Sequence, residues 1–272
     1  MIPNSVDTED AFYLEREGIR SIQNTVIQAA KNLINNKGYD FNDIQILIPQ
    51  KTGSLGVYMM NFLLQKEFNN KGKDNKNKIL ATKFSAKPDE SSKSVEFELY
   101  FTEGDKVINI HNNYSMQQYL KNGDNFIKTT QCGITNGETG VIEYIKIDKG
   151  QDGKVTKKIM VKYDEFYCLY EDDFSDLQHS FALTTHKSQG SAWKAVIVPM
   201  DMRFFKLLDN NLFYTAITRA REFVCVVGTK KAINLAIRTH NAIHRYTRLS
   251  YRLKKSIDDD RKFFDKGNGV VA

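Results

Sequence analysis

The sequence predicts an α/β protein: a parallel-sheet lobe interrupted by a small antiparallel β-barrel domain. Three observations carry this expectation. Apolar strand-type runs alternate with helical patterns near the N-terminus and again after residue 180, which implies a parallel sheet with helices on its faces. Between residues 95 and 175 the pattern becomes short alternating runs, separated by Asn122-Gly123, Asn136-Gly137 and Asp152-Gly153, the turn chemistry of tight hairpins. The α/β rhythm then resumes, so the antiparallel part reads as an insertion.

Each element has its own signal. Ile19, Ile22, Val26, Ala30 and Leu33 recur at helical spacing, and one amphipathic helix is expected over residues 10–35. Residues 44–49 form a short apolar run of buried-strand type, closed by Pro49 and followed by the loop Lys51-Thr52-Gly53-Ser54. A second helix is expected over 55–68, with Leu55, Met59, Phe62 and Leu63 on one side. Lys and Asn dominate residues 66–78, which read as a mobile loop. Alternating strands are expected at 95–101, 106–110, 140–147 and 158–163, and several short strands with tight turns suggest a small barrel. After these come a strand at 181–185, the loop 187–190, a strand at 195–199, a helix over 212–220, a strand at 223–227 and a helix from about Lys230. The expected divisions are an N-terminal helical segment (1–39), the first part of the lobe (40–94), the inserted barrel region (95–178), the rest of the lobe (179–238) and a basic tail (239–272).

A chain of 272 residues is long enough for a full core and two modest domains. Its longest apolar runs fall far short of 18 residues, so a membrane span is not expected. The first seven residues lack a basic stretch and an apolar stretch, which argues against secretion. Cys132, Cys168 and Cys225 are far apart and match no metal spacing, which fits a reducing, cytoplasmic compartment. The net charge is +6, and from Lys230 onward eleven Lys/Arg face four Asp. That tail therefore holds the whole surplus, with Tyr246, Tyr251, Phe263 and Phe264 interleaved, a composition suited either to a nucleic-acid backbone or to a solvated amphipathic helix.

Two blocks carry chemistry. The first, Leu183-Thr184-Thr185-His186-Lys187-Ser188-Gln189-Gly190, follows a strand. Hydroxyl and imidazole groups can donate to phosphate oxygens without reading base sequence, and glycine lets backbone approach a ligand closely. The second block is Tyr214-Thr215-Ala216-Ile217-Thr218-Arg219-Ala220-Arg221. With a helix over 212–220, Arg219 falls about two turns after Leu212 and can point into a cleft. Together the blocks resemble the two C-terminal signature motifs of superfamily 1 helicases, most closely the RecD-like branch. A weaker match is the stretch from Ile46 to Gly56, a strand, a proline, a basic residue and a Gly-x-x-Gly loop before a helix containing Asn61. Gly104-Asp105-Lys106-Val107, Asn112-Asn113-Tyr114 and Asn136-Gly137-Glu138-Thr139-Gly140 also look like that branch, and as residues they read as turn chemistry.

The resemblance implies a second RecA-like lobe with a barrel insertion, the C-terminal part of an ATP-dependent DNA helicase of repair or recombination. It implies Thr184 and His186 on single-stranded DNA phosphates, Gln189 and Gly190 facing ATP, Lys51 as a nucleotide contact and Arg219 as the arginine finger. The chain contains no G-x-x-x-x-G-K followed by Ser or Thr, so the phosphate loop and the Mg2+ ligands are expected from a first RecA-like lobe, in cis or in trans. Ile159 to Glu165 imitates an apolar strand ending in a magnesium-binding Asp-Glu, but Lys162 breaks the run and no phosphate loop precedes it; a half-exposed strand is expected instead. One departure stands out: after Gly190 the family pattern Ser-Glu-aromatic is here Ser191-Ala192-Trp193. The lost carboxylate removes a nucleotide contact, and with the basic tail it supports an alternative, a non-catalytic nucleic-acid-binding module that keeps the helicase lobe fold. Trp193 reads as core.

Overall fold

The structure is a computed structural model and describes residues 10–73, 77–150, 153–240 and 251–257. In chain order the first elements are β1 (Ala11–Glu15), α1 (Ile19–Lys37), β2 (Ile44–Ile48), α2 (Val57–Phe68), β3 (Ile79–Ala86) and β4 (Val95–Phe101). Next come β5 (Lys106–Asn109), β6 (Asn113–Asn122), β7 (Asn125–Ile134), β8 (Thr139–Lys149), β9 (Val155–Lys162), β10 (Tyr167–Glu171) and β11 (Leu177–His179). The last are β12 (Ala182–Thr184), β13 (Trp193–Met200), α3 (Asn210–Ile217), β14 (Ala220–Gly228) and α4 (Lys230–Arg238). Residues 251–257 are helical and belong to a separate unit. Tyr246, Phe263 and Phe264 of the basic tail lie outside the described residues, as do residues 74–76 of the expected Lys/Asn-rich loop.

Five strands make one parallel sheet in the order β1-β14-β13-β2-β12. Its central strands are buried almost end to end, as sheets covered on both faces require. Helix α1 packs on β13 and β14, α2 on β12, and α3 on β13 and β14. Ile22, Val26 and Ala30, at the spacing that predicted α1, are fully buried. The helix expected from residue 10 begins at Ile19, because residues 11–15 are an edge strand paired with β14 and Gly18, at φ 89°, separates the two. Tyr13 fastens that strand by donating its hydroxyl to the Gly228 carbonyl at 3.0 Å.

Seven strands form an antiparallel sheet in the order β11-β5-β8-β9-β10-β6-β7, with a core of its own. Among the described residues its end strands, β11 and β7, are not hydrogen-bonded to each other. The strand at 95–101, expected within this insertion, pairs instead with β3 in a separate two-stranded ribbon that packs on α2. The tip of that ribbon reaches back to the lobe: Asp89 pairs with Arg20 at 2.6 Å, and Glu90 with Arg203 at 3.1 Å.

Asp105 joins the sheets. Its carboxylate is fully buried, accepts from Gln65 Nε2 (2.6 Å), Asn69 Nδ2 (2.7 Å) and the Thr102 amide (2.7 Å), and meets His179 Nε2 at 3.1 Å. Helix α2, the β4–β5 corner and β11 thus converge on one anion. A residue that read as turn chemistry is the junction of the two sheets.

Candidate functional site

The first block crosses the lobe from edge to edge. Thr184 ends β12 opposite Ile48, the last residue of β2. After only eight intervening residues, Trp193 starts β13 at the other edge, two residues before Ala195 pairs with Ile44. The crossing begins with a 3-10 helical turn, Thr185–Ser188, which Ser188 Oγ braces by donating to the Thr185 carbonyl at 2.7 Å. Gln189 is extended and exposed, and Gly190 has φ 87° with open space where a Cβ would stand. A side chain at Gly190 would be opposed by backbone conformation, not by crowding.

At the amino edge the crossing meets Arg219. Helix α3, capped by Asp209 accepting from the Leu212 amide at 2.7 Å, ends at Ile217. Arg219 is therefore not in a helix that runs to 220, as the spacing suggested; it occupies the joint between α3 and β14. Its Nε donates to the Thr215 carbonyl and its Nη1 to the Ser191 carbonyl, both at 3.2 Å. The Trp193 amide donates to the Arg219 carbonyl at 2.9 Å. The half-buried guanidinium is thus held beside Gln189 and Gly190 with its Nη2 uncommitted among the described residues. Trp193 is buried in the core, and Ala192 and Arg221 line a cavity of about 650 Å3 that also receives Lys106 and Lys162.

Thr184, His186, Lys187 and Lys51 gather at the carboxyl edge. Thr184 is buried at the strand end and His186 is exposed. Lys187 is half-buried and donates to Gln178 Oε1 at 2.5 Å. Burial, and secondarily the charge of Lys51, push its pKa down to about 8. Lys51 is exposed in the loop after β2. That loop turns tightly: a Cβ on Gly56 would meet the Thr52 carbonyl at 2.2 Å, and the Tyr58 amide donates to the Lys51 carbonyl at 3.1 Å.

The structure therefore brings Gln189, Gly190 and Arg219 together at one edge and Thr184, His186 and Lys51 at the other. About six residues of strand separate the two levels, on the order of 20 Å. Lys51, expected beside a nucleotide, stands with Thr184, His186 and Lys187. Among the described residues no group of three or more His, Cys, Asp or Glu is placed to hold a metal. Asp164 and Glu165 are exposed in the turn after β9. No described helix is long and apolar enough to cross a membrane. Sequence reasoning missed Gln178 and Tyr58, whose closeness to Lys187 and Lys51 depends on contacts between elements far apart in the chain.

Residues 179–227 match the UvrD-like helicase C-terminal domain family. An uncharacterised protein of Methanocaldococcus jannaschii is 31% identical over 79% of this chain and 17% of its own length. The ATP-dependent RecD2 DNA helicase of Deinococcus radiodurans is 26% identical over 71% of this chain and 21% of its own length. The chain thus spans about a fifth of the length of these relatives. A crystal structure of Pif1 helicase from Bacteroides with ADP-AlF3 and ssDNA is 16% identical, covers 92% of this chain and 53% of its own, and has a TM-score of 0.39.

Proposed function

We propose that this chain, which carries the UvrD-like helicase C-terminal domain of superfamily 1 helicases, is the second motor lobe of a RecD-like ATP-dependent DNA helicase. The eight-residue crossing between the two edges supports this reading most directly. A motor needs one element that feels nucleotide at one end and polynucleotide at the other, and residues 185–192, a 3-10 turn followed by the hydrogen-bonded turn from Ser188 to Ser191, join the two candidate groups.

ATP supplies a γ-phosphoryl group whose transfer to water drives the cycle. At the amino edge, Arg219 directs its uncommitted Nη2 toward a phosphate held by a first RecA-like lobe, in cis or in trans. The bonds to Thr215 and Ser191 set the position of the guanidinium in advance. Gln189 and the bare backbone at Gly190 border the same phosphate. At the carboxyl edge, His186 and Thr184 donate to phosphates of single-stranded DNA, and Lys51 and Lys187 add positive charge. The first lobe supplies the phosphate loop and the metal ligands.

ATP hydrolysis by the chain alone, and by the chain mixed with a RecD-like first lobe, tests this with and without single-stranded DNA. DNA-stimulated turnover is expected only in the mixture, and Arg219→Ala should lower it by about 10³–10⁵-fold while DNA binding persists. Turnover unaffected by that substitution overturns the assignment of Arg219. The second reading, a binding module without a motor, is favoured by Ala192 in place of the family's carboxylate. It predicts salt-sensitive DNA binding and no turnover in any mixture.

A further inference from the structure

A cavity of about 140 Å3 lies between the first turns of α2, the β3–β4 ribbon and β11. Tyr58, Phe174, Leu99, Thr82 and Gln178 form its walls. Tyr58, Phe174 and Gln178 are each half-buried, so they border solvent as well as the cavity. Two tethers place it beside the carboxyl-edge cations. The Tyr58 amide donates to the Lys51 carbonyl at 3.1 Å, and Gln178 Oε1 accepts from Lys187 Nζ at 2.5 Å. Among the described residues neither lysine has a carboxylate partner. The nearby acidic segment is already engaged: Glu171 pairs with Lys158, Asp172 accepts from the Lys157 amide, Asp173 from the Ser175 amide, and Asp176 pairs with His111.

We propose that this cavity receives one nucleobase of the single strand whose phosphates lie on Thr184, His186, Lys51 and Lys187. The inference rests on the phosphate-grip reading above and adds a base subsite to it. Single-strand binding combines a cationic track for the backbone with aromatic faces for the bases, and such stacking tolerates any sequence. Here the track and the faces are mechanically joined, because Lys187 is bonded to a wall residue through its ammonium and Lys51 through its backbone carbonyl. Tyr58 and Phe174 supply the π faces, and the Gln178 amide and Thr82 hydroxyl meet the polar edge of the base. A strand gripped at His186 would then be held by one base as well as by its phosphates.

The test compares binding of the chain to oligo-dT and to a fully abasic deoxyribose-phosphate strand of equal length, across a salt series. The wild-type chain should bind the abasic strand at least about fivefold more weakly, with the same salt slope. Tyr58→Leu, and independently Thr82→Trp, which fills the cavity without removing a wall, should bring the ratio close to one. Equal binding of both strands by the wild-type chain overturns the base subsite and leaves the phosphate grip standing. A wild-type preference for bases that survives in Thr82→Trp places them elsewhere and also overturns it. Failure of the wild-type chain to bind either strand overturns the phosphate grip, and the base subsite with it.

Discussion

Lys187 is where the site responds to pH. An ammonium held down to about 8, from an ordinary value of 10.5, means that the folded chain binds fewer protons than the unfolded chain between those values. Its contribution to stability therefore improves as pH rises through that window, and the charged form is the strained one. An arriving phosphate favours the charged form, so DNA binding should take up a proton. At fixed salt, the affinity for oligo-dT is expected to weaken between pH 7 and pH 9, and Lys187→Arg, which stays charged, should flatten the profile. A flat wild-type profile would remove Lys187 from the grip. His186→Ala should weaken binding, since this imidazole is exposed at the carboxyl edge.

Among the elements, Asp105 shows how a buried charge fixes one against another. Four partners from three elements converge on its carboxylate, so Asp105→Ala leaves several buried polar groups unpaired. A loss of about 3–5 kcal/mol is expected, read as a lower midpoint of urea unfolding. A change below about 1 kcal/mol would show that water replaces the carboxylate. Little of this junction was legible in the sequence, since Gly104-Asp105 carries the signature of a turn and its partners are up to 74 residues away. Strand β1 was hidden for a similar reason: five residues pair with β14 more than two hundred positions later, and the helical spacing starting at Ile19 overshadows them. Strands β6 and β7 bury almost no residues, so they lack the alternation that revealed β8 and β9. By contrast β2, β13 and β14 are runs of buried aliphatic residues, legible without any partner. Gln189, Gly190 and Arg219 could be grouped from their motifs, whereas Lys51 could not be assigned an edge until the strand register was known.

In the whole molecule, the proposed function gives the two edges of the parallel sheet different work and assigns the coupling to the crossing between them. Two glycines inserted between Gly190 and Ser191 should leave DNA affinity within about twofold and still allow basal turnover with a first lobe, yet abolish stimulation of turnover by DNA. Stimulation that survives the insertion would mean that the lobes communicate by another route. The antiparallel sheet stands outside this exchange except through β11, which runs directly into β12 and carries both His179 and Gln178.

The crossing has a length as well as a course. A four-residue 3-10 turn advances about 8 Å, the hydrogen-bonded turn from Ser188 to Ser191 spans at most about 7 Å, and the two steps on to Trp193 add about 7 Å, roughly 22 Å in all. The climb from Thr184 to the start of β13 is about six residues of strand, close to 20 Å, with one strand, β2, to pass on the way. There is almost no spare chain. A tether with no slack transmits a pull at once, and a shift of an ångström at His186 must either arrive at Gly190 or break the turn that Ser188 braces.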